Sequence, residues 1–113
     1  MRRAKPSKYR NVPTFVDGHR FASKKEARRF KELKLLERAN EIVGLVIHPR
    51  YEIKVNGVKI CDYVADFGYE LASPDPDYSF RPIIEDVKGV RTSTYRLKAN
   101  LMKALYGITI KET

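Results

Sequence analysis

Hydrophobic residues recur along the chain with helical spacing in two places. The first stripe consists of Ala27, Phe30, Leu33, Leu36 and Ala39. It follows Ser23 and Glu26, which match a capping box, so we predict a helix over about 23–39 with Asn40 as a left-handed cap. The second stripe consists of Leu97, Leu101, Ala104 and Leu105. It predicts a second helix that begins at Thr92–Thr94, runs to about Tyr106 with these four side chains buried, and is stopped by Gly107.

Elsewhere the pattern has the two-residue period of strands. The predicted strands are 43–55, 58–71, 83–87 and 108–111. Asn56-Gly57 indicates a type I′ turn, and a change of phase near Ile60–Cys61 indicates a bulge. A small hairpin is expected around Asp17-Gly18, and a proline-rich loop over 72–82. The order of helix, three antiparallel strands, helix and strand predicts an α/β fold with a mixed sheet.

Composition fits a single small domain with a core of its own. The 113 residues are 42% hydrophobic and 33% charged, and they include one cysteine. A lone Cys61 excludes an intramolecular disulfide framework and a multi-cysteine zinc site, and it is expected to pack as a small hydrophobe. Without an apolar run of membrane-spanning length or a signal peptide, we expect a soluble, cytoplasmic protein with no membrane partner.

The positive charge is concentrated at the beginning of the chain. Residues 1–40 hold thirteen lysines and arginines against four acidic residues, which accounts for the whole net charge of +9. We interpret residues 1–14 as a basic arm and residues 15–113 as one domain. The basic residues of the arm are Arg2, Arg3, Lys5, Lys8 and Arg10. Such an uneven distribution is typical of a polyanion binder, and the alternative is a basic tail that serves solubility.

Acidic residues and a lysine on two predicted strands are the candidate chemistry. Asp86 and Lys88 share one side of their strand, whereas Glu85 points away. Asp66 lies within a hydrophobic strand, where aspartate is disfavoured. If the strands are neighbours, these groups form an oxygen-rich site for Mg²⁺. The alternative is that Asp66 belongs to a solvated face together with Asp62 and Glu70.

Glu26 and the two histidines complete the set of candidates. Glu26 shares the face of Phe30 and Leu33, so its carboxylate could lean towards the metal, or it could only complete the capping box of Ser23. His19 and His48 have no partners at ligand spacing, and we interpret them as surface or turn residues.

These residues stand in an order that resembles the PD-(D/E)XK nuclease superfamily, which includes restriction endonucleases and archaeal-type Holliday-junction resolvases. That pattern has a glutamate on the first helix, an aspartate on the second strand and an acidic-x-Lys on the third. Here they are Glu26, Asp66 and Asp86-Val87-Lys88, with Ala65 in place of the proline and with Glu85 leaving the register of the acidic residue open. The chain also resembles, more closely, a small phage-encoded endonuclease-like family of formerly unknown function. The matching stretches are 8–11, 21–27, 36–39, 63–67, 85–89 and 95–98.

The resemblance implies a restriction-endonuclease-like αβββαβ core and a Mg²⁺-dependent DNA endonuclease, with Mn²⁺ able to substitute. It implies that Asp66, Asp86 and the Val87 carbonyl hold the metal, that Lys88 positions water and stabilises charge on the phosphate, and that Glu26 orients water or a second cation. It also allows a homodimer that acts on branched recombination or replication intermediates in the host cytoplasm. Besides the arm, the residues expected to contact DNA are Lys24, Lys25, Tyr95, Arg96 and Lys98, for which a solvated helix face is the alternative.

Two other functions remain open on the sequence alone. The chain could be a non-catalytic nucleic-acid-binding module with a degenerate nuclease fold, in which the acidic cluster is only a sheet face. It could also cut RNA, because nothing in the sequence indicates recognition of a 2′-hydroxyl group.

Overall fold

The structure, a computed structural model, describes residues 13–72 and 82–113. Its helices are α1 (Lys24–Arg38) and α2 (Ser93–Tyr106). Its strands are β1 (Thr14–Val16), β2 (His19–Phe21), β3 (Ile42–Ile47), β4 (Arg50–Val55), β5 (Val58–Val64), β6 (Phe67–Leu71), β7 (Ile83–Asp86) and β8 (Lys111–Glu112). Residues 1–12 of the predicted arm and 73–81 of the predicted loop lie outside the described residues. Within the described ranges, neither helix is long and apolar enough to cross a membrane.

The fold is α/β with a mixed sheet, as predicted. The central sheet has the strand order β3-β6-β7-β8, in which the first three strands are antiparallel and β8 runs parallel to β7. The strands β4 and β5 form a separate antiparallel ribbon, and β1 and β2 form a small hairpin. Because α1 precedes β3 and α2 connects β7 to β8, the helices and the central sheet follow the order αβββαβ.

The first helix begins at the predicted residue and covers the sheet with the predicted face. The Ser23 hydroxyl accepts a hydrogen bond from the Glu26 N–H, so it caps the helix. Ala27, Phe30 and Leu33 are buried against Phe67 of β6 and its neighbours, in one of two core clusters. The outer members of the predicted stripe, Leu36 and Ala39, are exposed.

Each of the two long strands predicted over 43–55 and 58–71 is broken in the middle. His48 and Pro49 separate β3 from β4, and Ala65 and Asp66 separate β5 from β6. Two hydrogen bonds join the broken positions, from His48 N–H to the Asp66 carbonyl at 2.9 Å and from Ala65 N–H to the Pro49 carbonyl at 3.0 Å. The prediction of continuous strands was wrong because Pro49 has no N–H for the ladder and His48 adopts a left-handed conformation.

The turn and bulge of the ribbon follow the prediction. Asn56 and Gly57 both have positive φ, which is the conformation of a type I′ turn. The register changes from Ile53 opposite Cys61 to Lys54 opposite Lys59, so Ile60 is the extra residue of a bulge.

The buried face of α2 differs from the prediction. Thr92 caps the helix and Gly107 ends it in the left-handed conformation, as expected. Of the predicted stripe, Leu101 packs against the core beside Met102, which is the fully buried side chain of the helix, whereas Leu97, Ala104 and Leu105 are exposed. The leucine spacing therefore identified the buried face only in part. The inward face also carries Lys98, whose ammonium group donates to the Asp62 carbonyl at 2.9 Å. The predicted closing strand over 108–111 is reduced to Lys111–Glu112.

Candidate metal centre

The first candidate ligand of the site lies in the first turn of α1. The Glu26 side chain is only 7% exposed, and its Oε1 lies 3.1 Å from His48 Nε2. The capping box is therefore half formed: the Ser23 hydroxyl caps the helix, while the Glu26 carboxylate is directed to His48. Of the two interpretations of Glu26, the structure favours the one in which this carboxylate leans over the sheet edge.

The second candidate ligand lies in the break between β5 and β6. Asp66 is half-buried, and its Oδ2 accepts a 2.7 Å hydrogen bond from the Val87 N–H. Its own N–H donates to Asp86 Oδ1 at 3.1 Å. These two bonds fix the Asp66 carboxylate against the end of β7, so Asp66 is part of this site and does not belong to a regular solvated face with Asp62 and Glu70.

The end of β7 supplies the third carboxylate and the lysine. Asp86 is buried, and the Tyr63 hydroxyl donates to its Oδ2. The Lys88 ammonium lies 3.5 Å from the same Oδ2 and 4.0 Å from the centre of the Tyr95 ring. Asp86 and Lys88 thus share one side of the strand, as predicted, and the aromatic ring below restricts where the ammonium group can move.

Glu85 lies on the opposite face of the sheet and has a different role. Both of its carboxylate oxygens accept 2.8 Å hydrogen bonds from Arg29 of α1, and the Tyr69 hydroxyl donates to it as well. Burial alone would raise the pKa of Glu85, but the bonds from Arg29 and Tyr69 outweigh burial and hold this pKa below its ordinary value. Between the two acidic residues that the sequence left open, Asp86 is the one that lies beside Asp66 and Lys88.

The acidic cluster carries more negative charge than its neighbours balance. Burial raises the pKa of Asp66 to about 7, and the carboxylates of Glu26 and Asp86 add to this rise. The Val87 N–H and the Lys88 ammonium act in the other direction without cancelling it. Three carboxylates beside one lysine therefore form a place where a bound cation is electrostatically favoured.

His48 is the residue that the sequence interpretation missed. Ligand atoms of Glu26, His48 and Asp66 all lie within 4.8 Å of one another and could hold one metal ion. Opposite ligands of one ion at about 2.1 Å are separated by about 4.2 Å, so the three groups are close to ligating distance. The available signal was Pro49, which interrupts a predicted strand next to a histidine. Finding the pairing with Glu26, however, required the fold.

The predicted DNA-contacting residues occupy different surroundings. Lys24 and Lys25 are exposed in the first turn of α1, and the Lys25 ammonium donates to the Lys88 carbonyl at 3.3 Å. Tyr95 lies under Lys88, and Arg96 lines a cleft of about 370 Å³ between α2 and the end of the chain. Lys98 is bound to the backbone of β5, as described above. The arm residues Arg2, Arg3, Lys5, Lys8 and Arg10 lie outside the described residues.

The fold and the site together define a small α/β protein with a cluster of carboxylates and an imidazole that could hold a metal ion at the edge of its sheet. Comparison with known families assigns residues 6–111 to the family described as "Protein of unknown function (DUF1064)". Because the match covers nearly the whole chain, the protein belongs to this family. No curated protein and no solved structure matches the chain significantly.

Proposed function

We propose that this protein is a divalent-metal-dependent endonuclease that hydrolyses phosphodiester bonds in DNA. The observation that carries the proposal is the convergence of Glu26, Asp66, Asp86 and Lys88 at one edge of the sheet. The resemblance to the PD-(D/E)XK superfamily assigns the same four residues to the catalytic site, and their positions in the fold support that assignment.

The donor set fits a hard divalent cation. Asp66 and Asp86 offer carboxylate oxygens, and Glu26 adds a buried carboxylate. The resemblance adds the carbonyl of Val87, whose N–H donates to Asp66. Oxygen ligands of this kind suit Mg²⁺ and Mn²⁺. When bound, such a cation polarises a phosphoryl oxygen and lowers the pKa of water at the site.

Lys88 is placed to act on the phosphate and on the attacking water. Its ammonium group is about one-quarter exposed, lies 3.5 Å from Asp86, and lies over the Tyr95 ring. A positive charge held in place at the rim of a buried carboxylate cluster can stabilise the charge that develops on the scissile phosphate while it orients the water. Glu26, whose carboxylate lies close to that of Asp66, would orient the water or a second cation.

The charge distribution favours nucleic acid as the substrate. The excess of basic residues lies entirely within residues 1–40, which include Lys25, whose ammonium group donates to the Lys88 carbonyl at 3.3 Å. Contacts of lysine and arginine with phosphates are independent of base sequence and sensitive to salt. Because phosphate contacts follow the backbone of the nucleic acid and carry no direct information about the bases, we expect selectivity for the shape of DNA and a preference for branched molecules.

The test is cleavage of a labelled four-way junction and its linear duplex control, with Mg²⁺, with Mn²⁺ and with EDTA. We expect cutting that requires the metal and that is lost in Asp66→Asn with DNA binding retained. Asp62→Asn is the matched control, because Asp62 lies on the adjoining strand and pairs with Lys59 at 3.2 Å away from the cluster.

Three results would change the proposal. Tight binding without cutting under any divalent ion would favour the non-catalytic binding module. Equal cutting of the junction and the duplex would refute the preference for branched DNA. Faster cutting of a matched RNA would replace DNA as the substrate.

A further inference from the structure

His48 occupies a backbone conformation that a turn alone does not explain. Its φ is +54°, in the left-handed region, and the next residue is Pro49, which normally holds its predecessor in an extended conformation. Among the residues that the structure describes, the others with positive φ besides glycine are Asp17, Asn40 and Asn56. Short side chains of this kind tolerate the left-handed region because they can form local hydrogen bonds. A histidine with its ring directed elsewhere gains no such local bond, so its conformation is maintained by what surrounds it.

Two polar contacts hold His48 in this conformation, and both are made with residues that carry the carboxylates of the site. The His48 N–H donates to the Asp66 carbonyl at 2.9 Å, which ties the backbone of the histidine to the residue that bears the second ligand. At the other end of the side chain, Nε2 lies 3.1 Å from Glu26 Oε1. The imidazole therefore spans the site from the β3–β4 break to the first turn of α1.

The geometry points to His48 as a nitrogen ligand of the same cation that Glu26 and Asp66 bind, which makes the site selective for Mn²⁺ over Mg²⁺. This inference rests on the metal dependence proposed above and adds to it. Magnesium is satisfied by oxygen ligands, whereas imidazole nitrogen favours first-row transition metals, whose affinities exceed that of Mg²⁺ when nitrogen is present.

The position of the ring is consistent with this role. His48 Nε2 lies 3.1 Å from Glu26 Oε1, so the ring edge that carries Nε2 faces the carboxylates of the site. As a ligand, His48 presents the Nε2 lone pair, and the ring hydrogen resides on Nδ1. The side chain is 46% exposed, so Nδ1 can form a hydrogen bond with water, and metal binding does not require a buried group to move.

The test measures the metal–nitrogen bond directly and does not depend on catalysis. The chain contains only two histidines, His19 and His48, so untagged protein loaded with Mn²⁺ can be studied by electron spin-echo spectroscopy for ¹⁴N coupling. We expect one imidazole nitrogen in the wild type and in His19→Asn, and none in His48→Asn. Asparagine is chosen because it tolerates the left-handed backbone, and circular dichroism checks that each variant is folded.

Calorimetric titration gives the matching thermodynamic result. We expect His48→Asn to weaken Mn²⁺ binding at least tenfold and to change Mg²⁺ binding less than threefold, with no change in His19→Asn. Asp66→Asn is expected to weaken the binding of both metals.

The outcomes separate the two proposals. If Mn²⁺ binding depends on Asp66 but the bound ion shows no ¹⁴N coupling, the role of His48 is overturned and the nuclease proposal still stands. Failure of the wild type to bind either cation would overturn the metal-dependent function itself.

Discussion

The raised pKa of Asp66 makes the stability of the metal-free protein depend on pH in a predictable direction. In the unfolded chain this carboxyl has its ordinary pKa of 3.8, whereas in the folded protein the pKa is about 7. Between these values the native state holds a proton that the unfolded state has released. The contribution of Asp66 to stability is therefore greatest below about pH 4, and this contribution is lost as the pH rises through 7.

The size of the effect follows from the same values. Three pH units at about 1.4 kcal/mol each give a ceiling of about 4 kcal/mol. Asp66 is partly exposed, so solvent screens its repulsion by Glu26 and Asp86, and we expect about 1–2 kcal/mol. Asp66→Asn removes the charge and keeps an oxygen that can accept the Val87 N–H. The variant should therefore be more stable than the wild type at pH 8 by this amount, with the difference vanishing towards pH 4.

Urea unfolding in EDTA at several pH values between 4 and 8 measures this difference. Subtracting the wild-type free energy of unfolding from that of Asp66→Asn cancels the other groups that titrate in this range. Asp62→Asn is the control, and its difference from the wild type should not grow with pH in the same way. A difference for Asp66→Asn that stays constant or falls between pH 4 and 8 would refute the reasoning.

Four further substitutions test the scaffold of the site by urea unfolding. Arg29→Met leaves the fully buried Glu85 carboxylate without its partner and should cost about 3–5 kcal/mol, and a loss below 1 kcal/mol would contradict the buried ion pair. Ser23→Ala removes the helix cap at a cost of about 1 kcal/mol, whereas Glu26→Gln should leave the cap intact, so equal losses in the two would speak against the half-formed capping box. Gly107→Ala places a side chain at φ +67° and should lower the free energy of unfolding by about 1–2 kcal/mol. No loss of stability would contradict this prediction and would indicate that the end of α2 had rearranged.

Local signals predicted most of the fold because they act over a few residues. The cap at Ser23, the turn at Asn56-Gly57 and the left-handed Gly107 each depend on the conformational preference of one or two residues. The helical period of α1 also identified its buried face correctly. For α2 the same reasoning was right about Leu101 and wrong about Leu97 and Leu105. The inward face of this helix depends on what the ribbon offers, including a backbone carbonyl for Lys98.

The candidate site was predictable as far as it follows strand periodicity. Alternation along β7 placed Asp86 and Lys88 on one side and Glu85 on the other, and the structure has this arrangement. Periodicity could not place Asp66 in a strand break or bring His48 to Glu26, because both depend on how two broken strands are joined across the break. Contacts between residues distant in sequence are fixed by tertiary structure, which a local pattern does not contain.

Single-turnover cleavage of DNA by Lys88→Met tests the central claim most directly. The control is Lys54→Met. Like Lys88, Lys54 lies beside a carboxylate, 3.1 Å from Glu52, but it belongs to the ribbon of β4 and β5 and is not part of the site. With enzyme in excess over a labelled four-way junction and a divalent metal present, we expect Lys88→Met to cut at least about 100-fold more slowly while binding the junction as tightly as the wild type. The Lys54→Met variant should cut at the wild-type rate. Equal cutting by Lys88→Met and the wild type would contradict the account, because it would separate the activity from the acidic cluster at the sheet edge.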